Sequence, residues 1–263
     1  MSGGGSITYY SPRQIDLIRE SGRIVAECLE LVRTTIGPGV TTRQIDRVVT
    51  DHIVKSGGRS PFLGYELPGK VPFPASLCAS VNDVVVHGVP NDVPLKQGDL
   101  VSIDVGVYKN GYIGDSAWTF PVGEPDEAAK RLLQAGEESL YAGIAAMKPK
   151  GVLADASRAV QKLVEGRGYS VVRDYVGHGV GLSLHEEPQV RNYTEAKDWL
   201  PGFRTVLKPG MVLAIEPMVN EGTEKVKGEP NDWPVRTEDG GRSVHFEHTV
   251  AIFSDRIEIL TKL

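Results

Sequence analysis

The stretch "LVSIDVGVYKNGYIGDSAW", residues 100–118, decides how the chain is read. Asn110-Gly111 between two alternating apolar runs signals a two-residue type I′ hairpin, because both central positions need positive φ. With those residues as the loop, Lys109 faces Tyr112, Gly106 faces Asp115 and Asp104 faces Ala117. Side chains alternate along a strand, so Asp104 and Asp115 share one face as diagonal neighbours, about 7–8 Å apart between Cα atoms. The residue opposite Asp115 has no side chain, which leaves room beside the acid. A slip of one residue would turn both acids to the other face, so this expectation depends on register.

The hairpin belongs to a repeat. "LKQGDLVSID" begins at 95 and "LKPGMVLAIE" begins at 207, an offset of 112. Leu, Lys, Gly and Ile are identical, and both segments end in an acid, Asp104 and Glu216. At the same offset Gly39-Val40 falls on Gly151-Val152, and each pair leads into an amphipathic helical pattern. Around the two copies the order of elements is helix, helix, strands, and then the same again. Ser11-Pro12 opens a helix that runs to Gly37-Pro38-Gly39, and Thr41 with Gln44 forms a capping box for a second. A loop with four prolines follows over 61–74, then strand patterns at 81–87, 100–108 and 112–120. Helical spacing returns at 126–147 and 154–166, followed by strand patterns near 171–176, 211–219 and 244–253. Neither half can cover the apolar face of its own strands, so the two should pack into one domain with a site between them.

Four carboxylates then lie in apolar strand segments, two per half: Asp104 and Asp115, Glu216 after "MVLAI", and Glu247 in "VHFEHTVAIF". Like charges 4 Å apart repel by about 4 kcal/mol at an effective dielectric near 20. Convergence of all four requires either protonation or cations. Two divalent ions balance the four charges, and a mostly oxygen ligand set suits Mn, Fe or Co as well as Zn.

Imidazole is the commonest nitrogen ligand and the usual acid/base group near neutral pH, so the six histidines are the next candidates. His178 and His185 sit in "GHGVGLSLHEEP", where Gly177, Gly179 and Gly181 argue against a helix and for backbone that approaches a ligand. His87 ends the run "VVV" before Gly88-Val89-Pro90. His52, His245 and His248 read as structural.

Composition narrows the class. The chain has 263 residues, 40% hydrophobic and 24% charged, with net charge −5 and no Lys/Arg cluster. That disfavours nucleic acid and anionic membranes as partners. No apolar run approaches the roughly 18–20 residues that cross a bilayer, and "MSGGGSITYY" lacks the features of a secretory signal. Residues 1–8 read as a flexible tail, and 9–263 as a single domain with pseudo-halves at about 37–123 and 148–263. Cys28 and Cys78 fit no disulfide framework or CxxC motif, as expected of unpaired thiols in a reducing cytoplasm.

Together "VVVHGVP", "IDVGVYKNGYIGDSA", "GHGVGLSLHEEPQV", "MVLAIEPMV" and "FEHTVAI" resemble the motifs of the type 1 methionine aminopeptidases, in order and spacing, from about residue 9 onward. The resemblance implies an α+β pita-bread fold: two pseudo-symmetric α/β halves with a central curved antiparallel sheet covered by helices. It implies a metalloaminopeptidase that removes the N-terminal methionine from nascent proteins and peptides with a small second residue, using two divalent ions (Co, Mn, Fe or Zn) to activate the attacking water. The implied ligands are Asp104, Asp115, His178, Glu216 and Glu247. Asp115 and Glu247 bridge the ions, Asp104 serves one ion, and His178 and Glu216 serve the other. Glu216 doubles as proton shuttle, and His87 and His185 contact substrate. Tyr65, Phe73, Cys78, Leu184 and Trp233 occupy methionine-pocket positions, and Asn82 and Ser243 match a monovalent-cation site. The implied protein is a cytoplasmic monomer acting near the ribosome, without the Cys/His-rich N-terminal extension of eukaryotic type 1 forms. A proline-specific peptidase of the same fold and a non-catalytic binding module are the competing readings. Three departures stand out: Gly106 where Thr is common, Leu184 where Phe is common, and a longer loop over 64–74.

Overall fold

The computed structural model describes residues 6–195 and 204–263. Of the tail expected over 1–8, residues 1–5 lie outside the described residues, and Ile7 packs against the core of the second half. Helix α1 (Pro12–Thr35) and helix α2 (Thr42–Lys55) both begin with a reciprocal capping box, Ser11 with Gln14 and Thr41 with Gln44. Each box satisfies backbone donors that the first helical turn leaves unpaired. Short strands β1 (Cys78–Val81) and β2 (Val84–Val86) follow, then the long hairpin of β3 (Leu100–Lys109) and β4 (Tyr112–Pro121). Helices α3 (Glu127–Ala146) and α4 (Ala154–Gly166) open the second half. Its strands are β5 (Ser170–Val171), β6 (Gly177–Gly179), β7 (Glu186–Val190), β8 (Val212–Ile215) and β9 (Met218–Asn220). They continue with β10 (Val226–Gly228), β11 (Val235–Thr237), β12 (Ser243–His245), β13 (His248–Ile252) and β14 (Ile257–Ile259).

Among the described residues all strand pairings are antiparallel. They form three three-stranded sheets, β1-β3-β4, β10-β11-β2 and β12-β9-β5, and one five-stranded sheet, β14-β13-β8-β6-β7. Helix α1 lies on β3 and β4 in the first half; α3 packs on β8, β9 and β12 in the second and carries α4 against it. One apolar core fills each half. A third cluster, from Tyr10, Ile15 and Ile18 to Phe73, Leu184 and Trp233, joins residues of both.

Several expected strands are shorter than their sequence patterns. The run at 81–87 is interrupted at Asn82-Asp83, where Asn82 adopts φ 55°. The run near 171–176 reduces to Ser170–Val171, and pairing resumes only at Gly177. The patterns at 211–219 and 244–253 each divide in two, at Glu216-Pro217 and Phe246-Glu247. Pro217 has no N–H to donate to a ladder, which explains the first break. The second lies opposite the first, since His245 pairs with Met218 and His248 with Ile215. An apolar pattern does not report where a strand passes from one sheet to another.

Helix α1 approaches β4 closely through two glycines. A Cβ on Gly114 would lie 2.7 Å from the Cα of Gly22, and one on Gly22 would lie 2.5 Å from the carbonyl oxygen of Leu260. This contact seats the strand that carries Asp115.

Candidate active site at the seam of the halves

The β3–β4 hairpin has the register its turn dictates: Lys109 opposite Tyr112, Gly106 opposite Asp115, and Asp104 opposite Ala117. Asn110 and Gly111 take φ of 50° and 90°, as a type I′ turn requires. Strand β4 then joins the second half along the break between β12 and β13. Glu247 donates its backbone N–H to Ala117 O at 2.8 Å, and the Ser116 hydroxyl donates to Glu247 O. Thr249 Oγ1 donates to Asp115 O at 2.7 Å and accepts from Asp115 N at 3.1 Å. Two acids from each half are thereby locked into one place.

They line a single cavity of about 310 Å³. Asp115 is 4% exposed, Glu216 8% and Glu247 2%. One carboxylate oxygen of each of Asp104, Asp115, Glu216 and Glu247 is sealed from solvent with no hydrogen-bond partner. Buried acceptors normally find donors, so four orphaned carboxylate oxygens around one cavity fit cations rather than a structural network. Burial raises the proton affinity of all four groups, and their mutual charges add to this for Asp104, Asp115 and Glu247. Ligand atoms of Asp115, His178 and Glu247 come within 4.8 Å of one another, as do those of Glu216, His245 and Glu247.

His178 lies on β6, with Nε2 3.3 Å from Glu216 Oε1 and 4.0 Å from Asp115 Oδ2. Its Nδ1 is 2.9 Å from Gly179 O, which leaves Nε2 to face the acids. Burial lowers its proton affinity to a pKa of about 3, so the ring is neutral and able to ligate. His185 stands at the exposed mouth, its ring 4.5 Å from that of His178, with Nδ1 2.8 Å from the Tyr65 hydroxyl. His87 holds φ 59° between Trp233 and Tyr175, and desolvation lowers it to about 3. Left-handed backbone in a non-glycine residue beside a cavity is strain of the kind found at functional sites.

The five residues at expected methionine-pocket positions face the same cavity. Phe73 and Trp233 meet edge to face at 5.2 Å, and Trp233 Nε1 donates to Val71 O at 2.9 Å. The 64–74 loop is closed on itself by Gly64 N to Phe73 O at 2.8 Å and Phe73 N to Tyr65 O at 2.9 Å. These bonds order an aromatic wall of the cavity. Cys78 is buried and unpaired, opposite Asp104 in the β1–β3 ladder.

Phe62, Tyr175 and His245 also line the cavity and are not among the site residues read from sequence. Phe62 lines it because a Cβ on Gly106 would lie 2.8 Å from both the Phe62 ring and the Pro61 ring. The missing side chain at 106, noticed only as a departure, is what admits the phenylalanine. Tyr175 carries no sequence signal. His245, which reads as structural, is instead 2% exposed with its Nε2 in the cavity, 3.5 Å from Glu216 Oε2. Strand alternation places residues two apart on one face, so the spacing of His245 from Glu247 is the sequence signal that could have found it. His52 pairs with Glu27 at 3.0 Å and His248 contacts Thr261 at 2.9 Å, both away from the cavity. Asn82 and Ser243 also lie outside it, joined by Ser243 N to Asn82 O at 2.8 Å. The Asn82 side chain is engaged by Asp99 and by Leu100 N, each at 2.9 Å.

Buried acids from two like halves, a neutral imidazole among them and an apolar wall alongside define the class: a metal-dependent hydrolase of α+β architecture. Comparison with known proteins agrees. The profile of metallopeptidase family M24 matches residues 16–253. Methionine aminopeptidase 1 of Bacillus subtilis is 47% identical over 253 residues, covering 96% of this chain and 98% of its own. The methionine aminopeptidase of Escherichia coli K12 is 42% identical over 97% of this chain and 94% of its own. The crystal structure of the Thermotoga maritima methionine aminopeptidase superposes with TM-score 0.91 at 42% identity, covering 98% of this chain and all of that one. A prolidase from Pyrococcus furiosus shares the fold at TM-score 0.75 and 24% identity, with 65% of its chain covered. The chain belongs to metallopeptidase family M24 and, within it, to the methionine aminopeptidases, which have the pita-bread fold. No helix among the described residues is long and apolar enough to cross a membrane.

Proposed function

We propose that the cavity removes N-terminal methionine from nascent chains and peptides whose second residue is small, with Asp104, Asp115, His178, Glu216 and Glu247 holding two divalent ions. The observation that carries this reading is the set of four solvent-sealed, unpartnered carboxylate oxygens, two from each half, beside an aromatic wall. Bound divalent ions would supply Lewis acidity, lowering the pKa of water toward 7 and polarising a carbonyl.

The chain's own groups do the rest. Glu216, whose carboxylate is pushed well up by burial, can hold a proton taken from the attacking water and pass it to the leaving amine. With Tyr65 donating to Nδ1 of His185, that ring carries its proton on Nε2 and can donate to the developing oxyanion. His87, neutral and fixed by its backbone, orients the substrate amide. The methionine side chain lies against Phe73, Trp233 and Tyr65, where thioether–aromatic contacts contribute about 0.3–1.5 kcal/mol each. Cys78 and Leu184 complete an apolar wall.

A peptide panel tests the reading on protein stripped of metal and reloaded with Mn, Fe, Co or Zn. Met-Ala-Ser should be cleaved, while Leu-Ala-Ser, Met-Leu-Ser and Xaa-Pro peptides should be poor substrates. Preferential cleavage of the Xaa-Pro series would overturn the assignment.

A further inference from the structure

We propose that His245 is an additional metal ligand, its Nε2 joining Glu216 and Glu247 on one ion of the pair. This rests on the dinuclear reading and goes beyond the five residues assigned above. Nε2 of His245 is sealed from solvent and has no hydrogen-bond partner. It lies 3.5 Å from Glu216 Oε2 and 4.0 Å from Glu247 Oε2. The arrangement mirrors that of His178, whose Nε2 is 3.3 Å from the other Glu216 oxygen. Two imidazoles thus flank the two oxygens of one carboxylate, each with a second acid nearby. Donors that share an ion at about 2.0–2.2 Å lie roughly 3–3.5 Å from one another, so only small shifts would bring His245 into contact.

The backbone fixes the aim of this ring. His245 N donates to Thr119 Oγ1 at 2.9 Å, and Thr119 Oγ1 donates back to His245 O at 2.9 Å. Thr119 is in turn 2.8 Å from the Ser102 hydroxyl on β3. On its other edge β12 is held by β9, with His245 opposite Met218. A ligand held this way loses little freedom on binding. The chemical consequence is a site with two nitrogens in place of one. Nitrogen donors favour Zn, Co and Fe over the oxygen-preferring Mn, so His245 should bias the metal preference of this protein.

Anomalous diffraction from the unaltered protein loaded with Zn decides the contact without any variant. The expected result is Nε2 within about 2.3 Å of an ion. Ions bound among the carboxylates with Nε2 beyond about 3 Å would overturn the proposal and leave the dinuclear reading intact; failure of any ion to bind there would remove both. In solution, His245→Gln is titrated with Zn and with Mn against a chelator. Zn affinity at the weaker site should fall about 100-fold and Mn affinity about 10-fold, lowering the Zn-to-Mn ratio about tenfold. Equal losses for the two metals, or unchanged affinities with a lowered kcat, would instead make His245 a residue that only positions Glu216.

Discussion

The two halves of the molecule deliver their acids in different ways. In the first half Asp104 and Asp115 sit within ten-residue strands of an unbroken hairpin, placed by alternation and a two-residue turn. In the second half Glu216 and Glu247 sit in the gaps between short strands, where β8 gives way to β9 and β12 to β13. Regular pairing positions a side chain through register alone. A break positions it where the backbone leaves one sheet for another, as at Glu216-Pro217 and Phe246-Glu247. The first half supplies a rigid platform, and the second wraps around it through hydrogen bonds donated by Ser116 Oγ, Glu247 N and Thr249 Oγ1.

The largest effect should come from comparing one acid of each half. Asp115→Asn and Glu247→Gln should each abolish peptidase activity and lower bound metal from two ions per chain, measured by elemental analysis after dialysis. Full metal content in either variant would show that the two halves do not contribute equally.

Next in size, His185→Ala should retain metal and fold while kcat falls about 10²–10³-fold, as for the loss of one oxyanion donor. An unchanged kcat with raised KM would assign the ring to binding only. Tyr65→Phe should produce a smaller loss of the same kind, since it leaves His185 without the partner that fixes its tautomer.

A third comparison concerns charge. Without metal, burial raises Asp104 to about 7 and Asp115, Glu216 and Glu247 well above their ordinary values. The folded chain then keeps protons that the unfolded chain releases above about pH 4, so these acids lose stability as pH rises from there through their raised values. His87 and His178, lowered to about 3, act in the opposite sense, but only up to their unfolded pKa near 6.5. Between pH 6.5 and 8 the acids prevail. The Tm of metal-free protein should fall across that interval, and excess divalent ion should flatten or reverse the slope in scanning calorimetry.

Smaller still, Gly106→Ala should cost about 1–3 kcal/mol, because its Cβ meets the Pro61 and Phe62 rings at 2.8 Å. Pushing Phe62 into the cavity should raise KM for Met-Ala-Ser more than it lowers kcat. Thr249→Val removes both seam bonds to Asp115, strands its buried N–H and C=O, and should cost about 1–3 kcal/mol.

Legibility followed the same division. The hairpin, its register and the capping box of Thr41 with Gln44 depend on interactions a few residues apart, and the sequence states them outright. Glu216 was legible twice over, at the end of the apolar run MVLAI and at the repeat position of Asp104. Phe62 was not legible, since it takes its place through a contact with a glycine 44 positions away, read from residues 62 and 106. His245 was legible in principle, since alternation puts it on the face of Glu247 two residues on, but its strand pattern reads equally as a structural histidine.

By itself the sequence determined the elements with strong local periodicity, the pairing of Asp104 and Asp115 on one face, and the presence of two like halves, because short-range sterics and side-chain alternation fix these. Only the tertiary structure decided that the two pairs of acids meet, that their oxygens are left without donors and that a second imidazole, His245, faces them beside His178. Such convergence arises where distant segments exclude water together, and no local interaction specifies it.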